Sequence, residues 1–140
     1  MNVLCQRRTR ADVRLDECRE YAQDTADELK LGATYTVYAQ CLHRACFWYL
    51  IEPDGLRETP RPGWYPAEWF SVLDGRISPT WIFAYAENFG GLGPQAMWGY
   101  PELVASYEHW SGLLDRKDEA LSLWSTRKSQ IDSLDDSSSR

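Results

Sequence analysis

The chain has no apolar run approaching the roughly 20 residues needed to span a bilayer, so no membrane role is expected. Residues 1–5 are too short an apolar stretch for a secretory signal, and Arg7, Arg8 and Arg10 follow at once. A cytoplasmic location is therefore expected. Positive charge is in short supply: 15 Lys and Arg stand against 21 Asp and Glu, for a net charge of −6. That deficit argues against a general nucleic-acid binder, which displaces phosphate counterions with cations. Only the triplet Arg7, Arg8 and Arg10 offers a basic patch. The glycine-dense stretch 88–94 lacks Gly-x-x-x-x-Gly-Lys, and this excludes a phosphate loop of that type.

Histidine is equally scarce, with His43 and His109 alone. His43 lies in Cys41-x-His43-x-x-Cys46, and Cys5 or Cys18 could complete a four-ligand zinc set. The spacing matches no common zinc pair, so no metal and no other cofactor is expected. The four cysteines read as reduced structural thiols; a Cys41–Cys46 cross-strand disulfide is conceivable in geometry but disfavoured by the expected compartment. His43 is near Cys41 and Cys46 in sequence, but residues flanking a hairpin turn rarely sit in a water-excluding pocket. His109 is expected on a helix surface, so neither histidine is expected to be catalytic. Glu52, Glu68, Asp74 and Glu87 flank strands or turns and read as solvated acids rather than an acid–base pair. An enzyme is not expected.

What the chain has is rings and acids. Seven Trp and eight Tyr in 140 residues suit the core of a small β-structure, but the same side chains anchor interfaces. Residues 12–30 carry seven acids (Asp12, Asp16, Glu17, Glu20, Asp24, Asp27, Glu28) against Arg14, Arg19 and Lys30. Such a run is either a solvated face or a field that steers a basic partner.

Period-two alternation predicts a strand over 1–6 and another over 33–41. Residues 46–52, apolar on both faces, read as the central strand, joined to the previous one by a four-residue loop, 42–45. Pro53-Asp54-Gly55 is a turn signal. Pro66 suits the first position of a short 3₁₀ turn, Ala67-Glu68-Trp69, before a strand over 70–73. Leu15, Cys18, Ala22, Thr25 and Leu29 recur at steps of three and four, so 12–30 is either a helix or a long irregular loop. A strand is expected over 80–87, helices over 101–109 and 118–131, and a disordered tail over 135–140.

Strand, hairpin, proline-bearing loop and the turn Tyr65-Pro66-x-x-Trp69 before a short last strand resemble the Src-homology-3-like barrel, over residues 1–5 and 32–74. The resemblance implies an α+β chain: a small antiparallel barrel over 1–87 with segment 12–30 inserted, then a glycine-rich loop and C-terminal helices over 88–134 packed on it. It also implies that Tyr65 and Trp69 line a ligand groove.

By type and composition the chain is similar to bacterial immunity proteins, which occlude a cognate toxin. The expected function is a protein-binding module for a basic partner. Asp16, Glu17, Glu20 and Asp24 would attract it, and Tyr65, Trp69, Trp98 and Trp110 would anchor it. The alternative is a peptide- or small-ligand-binding barrel, which needs Tyr65, Trp69 and Trp81 to face solvent together.

Overall fold

The computed structural model describes residues 1–53, 59–85, 89 and 93–138, with side chains up to 136. Among these residues, eight antiparallel strands form two sheets. β1 (Asn2–Cys5) lies between β2 (Thr34–Thr36) and β6 (Phe70–Asp74). The larger sheet has β3 (Ala39–His43) at its centre, flanked by β4 (Cys46–Ile51) and β8 (Ala96–Gly99). β5 (Gly63–Pro66) and β7 (Ile82–Tyr85) are its edges. The chain is thus α+β, but the described strands make two sheets and not one closed barrel.

The sequence expected one strand where two now stand. β2 and β3 belong to different sheets, and buried Val37 and Tyr38 carry the chain across the corner. The β3–β4 hairpin turns on Arg44 and Ala45 alone, with φ 48 and 65. Both positive values match the twist of a two-residue hairpin turn, so the expected four-residue loop was too long. β3 rather than β4 is central. β8, which the sequence reading left without a strand, pairs with both β3 and β7. A division between units at 87/88 therefore cuts through one sheet, although residues 86–88 lie outside those described.

Segment 12–30 is mostly irregular. A 3₁₀ turn at Arg10–Asp12 and one turn of helix, α1 (Asp16–Arg19), are its only helical pieces among the described residues. Arginine side chains supply donors that a continuous helix would have drawn from its own backbone. Arg10 donates to the Ala22 carbonyl at 2.6 and 2.9 Å, Arg19 to Val13 at 2.8 and 3.0 Å, and Arg8 to Leu29 at 3.0 Å. Of the apolar stripe, Cys18, Ala22 and Leu29 are buried, but Leu15 and Thr25 are exposed.

The 3₁₀ turn Ala67–Trp69 forms where Pro66 places it. Pro101 likewise starts α2 (Pro101–Ala105), and Ser106 caps α3 (Tyr107–Leu114) by accepting from the His109 N–H at 3.2 Å. α4 runs over Asp118–Ser138, so the expected disordered tail is helical as far as Ser138. Glu102 of α2 and Arg127 of α4 form a forked ion pair at 2.7 Å, and Trp124 donates to Glu52 at 3.2 Å. Gly112 lets α3 approach α4 closely, since a Cβ there would sit 2.9 Å from that of Ala120.

Candidate functional site

The larger sheet has two faces that are covered differently. Residues opposite one another in register share a face. Leu42 with Phe47, Gln40 with Tyr49 and Trp98, and Phe83 with Trp98 lie on the outer face. Cys41 with Trp48 and Met97 lie on the inner one. The smaller sheet covers only part of the outer face: Phe70 of β6 packs on Tyr49 with ring centres 6.0 Å apart. Toward β7 nothing among the described residues continues that cover. Phe47, Trp98, Phe83 and Tyr85 therefore form an open row of rings, with centres 6.2, 4.7 and 5.4 Å apart along it. Phe83 is 47% exposed and Tyr85 72%.

Cys18 of α1 and Cys46 of β4 are disulfide-bonded, with Cα atoms 5.8 Å apart, which ties the acidic segment to the start of β4. Cys46 precedes Phe47, and Leu15, Phe47 and Glu68 line one shallow cleft. The expectation of four reduced thiols fails at these two residues. It had rested on the expected compartment, in which lasting disulfides are rare. Among the described residues, no helix is long and apolar enough to cross a membrane.

The predicted site residues divide. Asp16, Glu17, Glu20 and Asp24 are exposed. Asp16 pairs with Arg19 at 3.1 Å and Asp24 with Arg10 at 3.0 Å, so the field of the segment is weaker than its count of acids suggests. Trp98 is half-buried within the outer ring row. Trp110 is half-buried elsewhere, against Phe89 and Tyr107 on the helical side. Tyr65 and Trp69 are sealed, at 3% and 0% exposure, and Trp81 is also buried. Segment 6–33 closes over Tyr65 and Trp69: Trp69 donates to the Thr9 carbonyl at 3.1 Å and Tyr65 to Glu28 at 2.9 Å. Burial, then the bond to Glu28, pushes the Tyr65 phenol well above its usual range. A groove lined by Tyr65, Trp69 and Trp81 does not exist.

Phe47, Phe83 and Tyr85 were missed as site residues. Alternation in 80–87 places Phe83 and Tyr85 together on one face, but nothing in it says that this face stays open.

On the inner face lies a cleft of about 280 Å³, lined by Tyr21, Trp48, Trp64 and Trp110 together with Cys41 and His43. Burial pushes the Cys41 thiol up to about 12, so it is protonated at neutral pH and does not act as a nucleophile. His109 is bound to the Tyr100 hydroxyl at 2.5 Å; burial lowers the imidazole and raises the phenol, a pair of neutral groups inside the core. The flanking acids are engaged one by one. Glu52 accepts from Trp124 and from the Arg61 N–H, Glu68 from Arg14, and Asp74 from Arg76, while Glu87 lies outside the described residues. No group of three His, Cys, Asp or Glu side chains among the described residues is placed to hold a metal ion.

Compared with protein-family models, curated proteins and solved structures, the chain matches none.

Proposed function

We infer that the chain is a non-enzymatic protein-binding module that caps a basic partner, in the manner of a bacterial immunity protein. The observation that carries this reading is the open ring row Phe47–Trp98–Phe83–Tyr85, whose Phe47 end shares a shallow cleft with Leu15 and Cys18 of the acidic segment. Rings of this kind lose little side-chain entropy on docking and give a complex its lifetime. Glu17 and Glu20, exposed near the disulfide, give it approach speed. The anchors are therefore Phe83, Tyr85 and Trp98 rather than Tyr65 and Trp69.

Affinity capture from native cells, followed by titration of the purified complex, tests the reading. A captured basic protein should bind less tightly as salt rises from about 0.05 to 0.5 M. Phe83→Ala should weaken it by roughly thirtyfold, about 2 kcal/mol. Glu17→Lys with Glu20→Lys should slow association more than it speeds release. Retention of full affinity by the Phe83→Ala, Tyr85→Ala double variant would sink the reading.

A further inference from the structure

Segment 6–33 is built as a flap. Its two ends are clipped together, since the Cys5 N–H donates to the Ala33 carbonyl at 2.9 Å and the Gly32 N–H to that of Cys5 at 2.8 Å. Gly32 takes φ 82 at this neck, and a Cβ there would meet nothing within 4 Å. Between the ends, polar bonds close on the segment itself: Arg8 to Leu29, Arg10 to Ala22, Arg19 to Val13, and the Ala26 N–H to the Arg8 carbonyl at 2.8 Å. A loop pinched at its neck and bonded within opens as a unit rather than unravelling.

Away from the neck, the flap is tied to the sheets at separate points. Thr9 accepts from Trp69 and Glu28 from Tyr65, while Arg14 meets Glu68 in a largely solvated pair of the weak surface kind. Val13, Ala26 and Leu29 are wholly buried and keep the flap shut by packing. The covalent tie is Cys18–Cys46, and it stands where a latch has most leverage: Cys18 lies about midway between Cys5 and Gly32, at the far end from the hinge. Both cysteines line the shallow surface cleft shared with Leu15, Phe47 and Glu68, whose volume of about 300 Å³ admits a small dithiol.

We propose that this disulfide is a redox latch: its reduction by a dithiol frees the flap to swing about its neck, uncovering the Tyr65 and Trp69 rings while both sheets stay folded. One thiolate of the dithiol attacks a cystine sulfur, forms a mixed disulfide and expels the other cysteine as thiolate. The second thiol of the reductant then displaces the first cysteine. The protein gains two thiols, the dithiol becomes its own disulfide, and two electrons and two protons pass between them. Because the flap keeps its internal bonds, closing it returns Cys18 to Cys46, and an oxidised dithiol reverses the exchange.

Exchange of the tryptophan indole N–H protons, followed by nitrogen-15 NMR, reads the flap directly. The Trp69 N–H is bonded to Thr9 of the flap, whereas the Trp124 N–H is bonded to Glu52 outside it. In millimolar dithiothreitol under native conditions, the bond is expected to reduce with an unchanged circular-dichroism spectrum. The Trp69 N–H should then exchange at least about tenfold faster, with Trp124 at its former rate, and re-oxidation should restore the protection. The Cys18→Ser, Cys46→Ser double variant should show the fast Trp69 exchange without any reductant. A disulfide that yields to dithiothreitol only after urea has unfolded the protein is a fixed staple, and would overturn the proposal. So would reduction that leaves Trp69 exchange unaltered, or that speeds Trp69 and Trp124 alike. These outcomes are independent of whether the outer ring row docks a partner.

Discussion

Trp69 and Phe83 are both large rings near strand ends, and their surroundings give them opposite roles. Trp69 has no exposed surface, and its N–H is bonded to Thr9. Trp69→Ala removes that packing and strands the Thr9 carbonyl, at a cost of about 3–5 kcal/mol. Phe83→Ser removes a half-exposed ring and should change stability by less than about 1 kcal/mol. Urea denaturation of the two variants side by side checks the contrast. A similar loss from both would mean that the outer ring row is part of the core. Cys41 shows the same dependence on place: sequence puts it beside His43, but burial keeps it a thiol.

Among elements, the segment between β1 and β2 is the least regular and the most cross-linked. Arginine side chains, the Thr9–Thr25 bridge and one disulfide hold it where a helix would have held itself. The disulfide closes a sequence separation of 28, for which loop-closure entropy gives about 3–4 kcal/mol. Cys46→Ser, or reduction of the wild type, should lower stability by that order and raise hydrogen exchange first in residues 7–33. Exchange rising equally across β3 and β8 would contradict the idea of a locally tethered segment. The helical reading of 12–30 fails for a related reason. Its spacing is helical, but Leu15 and Thr25 stay exposed, and most helical stability comes from a packed face. The β3–β4 hairpin and the Pro66 turn are legible because alternation and proline chemistry are local. β8 was not, because Ala96 to Gly99 is too short to show a period.

For the molecule as a whole, the acid side of the stability profile is set by the helical layer. Burial holds His109 below its ordinary 6.5, with Glu102 opposing only in part. As pH falls through about 6.5 the unfolded chain takes up a proton that the folded chain refuses, so stability declines until the folded imidazole itself titrates. Glu102 is held below its ordinary 4.5, chiefly by its hydrogen bonds from Arg127. The stability it contributes is present above that value and is lost as pH falls through its lower folded one. The melting temperature should therefore drop between about pH 7.5 and about pH 5.5, and His109→Gln should flatten that drop while lowering the starting value. A wild-type melting temperature unchanged over this interval would contradict the account.

Local chemistry alone determined that this is an α+β chain rich in short strands, with a 3₁₀ turn after Pro66 and helices beginning at 101 and 118. Those features depend on neighbours within a few positions. Which rings are sealed, which cysteines join and which face of the larger sheet stays open were decided by packing between residues far apart in sequence. The smaller sheet covers Tyr49 and stops short of Phe83, and no periodicity records where a covering layer ends.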